Sequence, residues 1–361
     1  MLRTGTEPSM AGAAGDAASE AGSLPAGLVY SSDADPGYSR EKRGDGFGYR
    51  DTSGRWINDE AELARIRKLA IPPAYTSVWI CRLAHGHLQA TGRDARGRKQ
   101  YRYHERWREE RDNGKFERLL AFARCLPRLR RRIDAQLKEK AHSRELVLAT
   151  IVRLLDTTLV RIGNDQYARE NKSYGLTTLR SRHVRVEGTA LKLSFRGKSG
   201  VRHEVRVTDA RVCRVVRRCL HLPGQELFQY HDVHGTAHAV SSGDVNDYLN
   251  ELCGERFTAK DFRTWHGSVL ALEALRRYCS RSEPGFTLKQ LLAEVSGCLG
   301  NTPAVCRKAY IHPEVLTLGM ALAGRKGDIC FADHVPAALA IKGLSAGEQR
   351  LVAFLSRSSP G

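Results

Sequence analysis

Long apolar runs are missing from this sequence. The best, Val315–Gly324, is about half of the ~18–20 residues that a bilayer-spanning helix needs, and Thr317 and Gly319 interrupt it. The amino terminus offers Ala, Gly, Ser and acids but no apolar core, so no secretory signal segment is expected. Paired cysteine motifs are missing as well: nine Cys are scattered without a CxxC, and thirteen His show no zinc-finger spacing. Scattered thiols in odd number predict reduced cysteines, no metal site and a cytoplasmic protein. Gly44, Gly46 and Gly48 do not make a dinucleotide fingerprint. The GKS at Gly197–Ser199 fails the Walker pattern, because Lys192 stands where its first glycine belongs, so no ATP site is expected. Acidic residues are in deficit, 40 Asp+Glu against 58 Lys+Arg.

What is present is a globular composition with a strong positive charge. A hydrophobic fraction of 41% supports real cores and excludes a wholly disordered chain. The net charge of +18 points to a polyanionic partner, and nucleic acid is the commonest. Half of that excess is concentrated between Arg93 and Lys140, where 17 Lys/Arg face 8 Asp/Glu. A solvated, salt-bridge-laced helical surface would explain a plain charge run. Here Tyr101, Tyr103, Trp107 and Phe116 are interleaved with the cations, which suits a surface meeting phosphates with charge and bases or sugars with rings.

A chain of 361 residues exceeds what one core usually supports, so two domains are expected. Residues 1–26 are Ala/Gly/Ser-rich without periodicity and read as a disordered tail. Residues 27–110 carry short segments separated by turn signals, with Ser77–Leu83 and His87–Thr91 reading as a hairpin, and form a small β-rich domain. Residues 111–355 are mainly helical. Within them His183–Val186, Ala190–Phe195 and His203–Val207 alternate in period two and predict a short antiparallel insert. The fold class is therefore α+β. Ser242 is the expected cap of one helix, Thr258 with Asp261 a capping box for the next, and Thr302–Pro303 the start of a short helix that carries Tyr310 and stops at Pro313.

Four segments, with five residues between them, then look like the parts of a dispersed phosphoryl-transfer site. Arg161 lies in VRIGN, Lys198 in FRGKSG at the expected hairpin tip, Lys260 and Arg263 in TAKDFRT, and Tyr310 in CRKAY. Each is weak alone; their order and spacing are not. With GRDARGRKQYRYH and LGNTPAVCRKAYIHP, the sequence from about Val29 to Val335 resembles the type IB DNA topoisomerases, in particular the compact poxvirus-like enzymes of bacteria.

The resemblance implies the catalytic fold shared with tyrosine recombinases, and a tyrosine that attacks a DNA phosphodiester to leave a 3′-phosphotyrosyl link and a free 5′-hydroxyl. Tyr310 holds that place, and Arg161 and Arg263 match the arginines that grip the non-bridging oxygens. Lys198 matches the general acid for the departing 5′-oxygen, with Arg161 assisting, Lys260 a further phosphate contact, and Tyr167 a support of the site. Asn301 stands where eukaryotic and viral members place a histidine; an amide donates a hydrogen bond but exchanges no proton near neutrality. Gln100, Tyr101 and Tyr103 match residues that contact DNA, and the two domains would clamp the duplex with a hinge in 109–116. The implied protein is a monomer on double-stranded DNA, nucleoid-associated, off the membrane and free of ATP and required metal. A tyrosine recombinase shares the Arg, Lys, Arg and Tyr chemistry, but usually has His where Lys260 stands. A non-catalytic DNA-binding protein would satisfy the charge alone and leave Tyr310 unexplained.

Overall fold

The computed structural model describes residues 24–95, 97–280, 285–325, 331–338 and 340–358. The chain divides into two compact units, Met1–Arg111 and Asp112–Gly361. The tail expected over 1–26 lies outside the described residues up to 23; within its last three, Pro25 is buried and the Ala26 carbonyl accepts from Arg106 Nη2 at 2.9 Å.

The amino-terminal unit contains β1 (Tyr38–Arg43), β2 (Gly46–Arg50), α1 (Glu60–Lys68), β3 (Thr76–Ile80), β4 (Leu88–Arg93) and β5 (Lys99–Tyr103). The strands make one antiparallel sheet in the order β2-β1-β3-β4-β5. Its small core joins Ile66 of α1 to Val78, Ile80 and Ala90. α1 starts where the Asp59 carboxylate accepts from the Glu62 N–H at 2.8 Å, with acids in its first turn and Arg65, Arg67 and Lys68 in its last, as the helix dipole favours. The strand expected over Ser77–Leu83 ends at Ile80. The carbonyls of Leu83, Ala84 and Gly86 instead wrap the buried Gln89 amide, accepting from its Nε2 at 2.9, 3.3 and 2.7 Å.

Helix α2 (Glu105–Glu117) contains the whole stretch expected to be a hinge. Then come α3 (Leu119–Gln136), α4 (Arg144–Thr158), α5 (Asp165–Asn171), β6 (Val184–Glu187), β7 (Ala190–Arg196), β8 (Arg202–Thr208), α6 (Ala210–Leu220), β9 (Gln229–His231), β10 (Ala237–Ala239), α7 (Ser242–Cys253), α8 (Ala259–Cys279), α9 (Leu288–Leu299), α10 (Pro303–Ala309), α11 (Pro313–Leu322) and α12 (Ala346–Ser358). α4 is buried from Leu146 through Val152 without a break, the mark of a central helix rather than a surface one. The insert is a three-stranded antiparallel sheet, β6-β7-β8, whose central strand turns Leu191, Leu193 and Phe195 inward at period two. The coarse expectation, a β sheet followed by a mainly helical unit with a β insert, is met. Among the described residues no helix is long and apolar enough to cross a membrane.

Three helix ends differ from expectation. Ser241, not Ser242, caps α7, because its hydroxyl and the Asp244 carboxylate close a reciprocal box. α10 ends at Ala309, so Tyr310 is its C-cap rather than a helical residue. Pro313 opens α11 at its first position, where the missing N–H costs nothing, instead of stopping α10.

One ionic hub ties α3, α4, α8 and α12. Arg130 donates to Asp156 at 2.8 and 2.9 Å and to Glu348 at 2.7 and 2.9 Å. Trp265 Nε1 donates to Glu348 at 2.9 Å, and His266 Nε2 lies 3.0 Å from Asp156. Burial pushes the Glu348 carboxyl up, but Arg130, the Ser345 N–H and Trp265 outweigh it and bring it down to about 2.

Candidate active site

Tyr310 is aimed by its backbone. Thr302 caps α10 through its side chain, Pro303 fills the first turn, and Cys306 is fully buried beneath. The Tyr310 N–H closes on the Cys306 carbonyl at 3.0 Å with φ −131° and ψ −9°, which ends the helix. On the far side α8 presses directly on this turn. A Cβ added at Gly267 would lie 2.5 Å from the Tyr310 carbonyl oxygen, so only glycine allows the approach. Ser268 Oγ donates to the Thr264 carbonyl at 2.9 Å, lies 3.4 Å from the Tyr310 carbonyl and accepts from the His312 N–H at 3.0 Å. Ile311, completely buried, pins the following residue.

Two arginines converge on the phenol. Arg263, on the second turn of α8, is only 3% exposed, and its guanidinium carbon lies 5.0 Å from the centre of the Tyr310 ring. Its fork is held by carbonyls: Nη1 donates to Leu159, and Nη2 to Leu299 at 2.7 Å. Arg161 follows two residues after Leu159. It donates through Nη1 to the Gly300 carbonyl at 3.4 Å and through Nη2 to Asn301 Oδ1. Its own carbonyl accepts from the Leu176 N–H at 2.9 Å, which fixes the loop. Among the described residues no carboxylate pairs with Arg161 or Arg263. Lys260, exposed on α8, precedes Arg263 by three residues and so shares its helix side.

The electrostatics follow from that arrangement. Burial pushes the Tyr310 phenol up, but the positive charges of Arg263, Arg161 and Lys260 together with an Arg263 hydrogen bond outweigh it, leaving the phenol below its ordinary 10. Burial and the facing Arg161 charge lower Arg263 in turn. Two buried donors in this cluster lack a partner among the described residues: Arg263 Nε and Asn301 Nδ2. The Cys306 thiol beside the Asn301 side chain is a weak acceptor at best. Buried unpaired N–H groups are rare and call for an explanation.

Of the sequence-predicted residues, Tyr310, Arg161, Arg263 and Asn301 thus come together, with the Lys260 charge acting on the same phenol. Lys198 is exposed on the 3₁₀ turn between β7 and β8, 5.9 Å above the ring of Tyr167, which lies in the first turn of α5 and donates its N–H to the Asn164 cap. Gln100, Tyr101 and Tyr103 belong to the amino-terminal unit. The two tyrosine rings stack there at 6.2 Å and 13°, as a shared strand face predicts, and Tyr101 is 40% exposed. Gln100 Nε2 donates to Asp94 at 3.0 Å. The carbonyls of Leu159 and Leu299, and the small residues Gly267 and Ser268, were invisible in sequence reading. No side-chain pattern announces a backbone acceptor, although the glycine inside a 21-residue helix was a usable signal of close approach.

Comparison with known proteins agrees with this geometry. Residues 104–317 match the family model described as eukaryotic DNA topoisomerase I, catalytic core, and residues 46–94 match that of the bacterial DNA topoisomerase IB N-terminal domain. A DNA topoisomerase 1B of Acanthamoeba polyphaga mimivirus is 32% identical over 292 residues, covering 78% of this chain and 87% of the viral one. The DNA topoisomerase I of Monkeypox virus is 24% identical over 237 residues, 63% of this chain and 71% of its own. The DNA topoisomerase 1 of rabbit fibroma virus is 23% identical over 285 residues, 75% of this chain and 86% of its own.

Proposed function

The chain belongs to the type IB DNA topoisomerase family and acts as a DNA-relaxing enzyme, and on that premise we propose that Tyr310 is its nucleophile and that Arg161, Lys198, Arg263 and Asn301 complete the catalytic set. The phenolate oxygen of Tyr310 attacks the scissile phosphorus, and the bond to the 5′-oxygen breaks. A 3′-phosphotyrosyl link forms and a 5′-hydroxyl leaves. Religation is the reverse, so bond energy is conserved and neither ATP nor a metal ion is required.

At neutral pH an ordinary phenol is ionised only to about one part in a thousand. The uncompensated charges of Arg263, Arg161 and Lys260 lower that cost and also offset the charge that builds on the non-bridging oxygens. The observation that carries the reading is the pair of buried donors in the Tyr310 cluster that meet no oxygen or nitrogen acceptor among the described residues. Arg263 Nε and Asn301 Nδ2 are what a phosphate oxygen would accept from. Asn301 works as a donor only, its carbonyl being taken by Arg161. Lys198 delivers the proton to the departing 5′-oxygen, Lys260 adds a phosphate contact, and Tyr167 supports the Lys198 turn.

The helical unit is read as the catalytic fold shared with tyrosine recombinases. The β-rich region, residues 27–110, is read as a clamp that meets double-stranded DNA through Gln100, Tyr101 and Tyr103. The enzyme works as a monomer in the cytoplasm, on the nucleoid. The test is relaxation of supercoiled plasmid in EDTA without ATP. Wild type relaxes both signs of supercoil; Tyr310→Phe relaxes neither and forms no covalent DNA adduct. A Tyr310→Phe variant that still relaxes DNA overturns the assignment of the nucleophile.

A further inference from the structure

His203 occupies an unusual place. It sits on β8 opposite Phe195 of β7, and the two rings stack at 5.1 Å and 11°. Its edges reach two glycines from different motifs. A Cβ built on Gly197 would lie 2.6 Å from His203 Cδ2, and one built on Gly300 would lie 2.5 Å from His203 Cε1. Both separations are too short for any side chain beyond glycine unless the imidazole moves. Gly300 has φ +58° and would favour glycine for that reason alone. Gly197 does not: its φ is −92° and ψ −169°, a backbone any residue adopts, so the imidazole is the reason for its missing side chain. The residue after Gly197 is Lys198, and the residue after Gly300 is Asn301. One flat ring therefore fills the space between the turn that presents Lys198 and the turn that presents Asn301.

The surroundings keep that imidazole neutral. Burial, then the positive charges of Arg161 and Arg263, hold it below its ordinary value, so no third cation is added to the cluster.

We propose that His203 is a positioning residue that sets the Lys198 turn against the Asn301 turn, so that the lysine meets the departing 5′-oxygen of the phosphodiester held at Tyr310. It touches neither DNA nor Tyr310 in this role. The inference rests on the reading of Lys198 as general acid. It makes His203 and Gly197 two halves of one contact, the ring and the space for the ring.

Leaving-group chemistry tests it. A scissile bond with sulfur in place of the 5′-bridging oxygen departs as a thiolate and needs no proton, so defects in acid delivery vanish on that substrate while defects in folding or transition-state binding persist. Single-turnover cleavage is measured on oxygen and sulfur substrates for wild type, Lys198→Ala, His203→Ala and Gly197→Ala. Expected is a loss of roughly 10²-fold on oxygen for His203→Ala, within the range of general-acid effects, and recovery to within a few-fold of wild type on sulfur. Gly197→Ala, which pushes on the ring from the other side, shows the same selective defect, and the double variant His203→Ala/Gly197→Ala is no worse than His203→Ala. If His203→Ala and Gly197→Ala are slowed equally on both substrates, the ring is merely structural and the proposal falls. If Lys198→Ala itself is not recovered by sulfur, it is the general-acid reading that fails. If Lys198→Ala recovers and the other two do not, only the role of His203 is overturned.

Discussion

Arg130 and Arg263 are both largely withdrawn from water, both contact groups on or beside α8, and are compensated in opposite ways. Arg130 meets two carboxylates, Asp156 and Glu348, at 2.7–2.9 Å, and its charge is consumed within the fold. Arg263 meets the carbonyls of Leu159 and Leu299 and the Tyr310 phenol but, among the described residues, no carboxylate, so it is oriented without being neutralised. Dipoles satisfy the geometry of the fork and leave the charge over. The first cluster locks four helices together; the second keeps positive potential on a phenol and waits for an anion. Partner chemistry, more than burial, separates a structural arginine from a functional one here.

The largest effect that would break this contrast is expected at the hub. Arg130→Ala leaves Asp156 and Glu348 buried without their cation, which should cost about 3–5 kcal/mol of stability. Thermal unfolding should shift down by on the order of 10 °C, while cleavage by the folded enzyme at low temperature stays near wild type. An unchanged melting temperature would remove the structural half of the comparison.

Next comes Arg263. Arg263→Ala should slow single-turnover cleavage by roughly 10²–10³-fold, the usual consequence of losing a transition-state donor, with a smaller change in melting than Arg130→Ala. Arg263→Lys should not restore the rate, since one ammonium cannot span two carbonyls and keep a donor for phosphate. Full activity in the lysine variant would show that charge alone suffices.

A pH profile sharpens the same point. With its phenol held below 10, wild type should gain cleavage rate as pH rises and level off before pH 10. Removing the Arg263 charge raises the phenol, so the plateau in Arg263→Ala should move to higher pH. A profile that stays in place would mean that Arg263 does not act through the nucleophile. The smallest effect is expected at the other unit: Tyr101→Ala should weaken DNA binding by a few-fold, roughly 1 kcal/mol, and leave cleavage at saturating enzyme unchanged.

Much of the site is legible in the sequence, because its members are polar residues in short motifs with fixed order. Arg161, Arg263, Asn301 and Tyr310 were singled out by motif, and they meet in one cluster. The capping box at Thr258–Asp261 and the Thr302–Pro303 start were equally readable, since a cap is a local contest between a side chain and the next N–H groups. What stayed hidden was non-local or carried by backbone. Tyr310 falls just past its helix because α8 presses on that turn through Gly267, a contact across 43 residues of chain. The strand that stops at Ile80 does so because Gln89 claims the carbonyls of the next turn.

The sequence by itself determined the chemistry available: a basic chain, a tyrosine, two arginines, a lysine and an amide in family order, and the alternation and capping that make a sheet, a helical unit and an insert. Only the tertiary structure decided which charges survive. Whether a guanidinium finds a carboxylate or a carbonyl depends on which distant segments pack beside it, and so does whether an imidazole finds two glycines. Neither is encoded within any window of residues short enough to read.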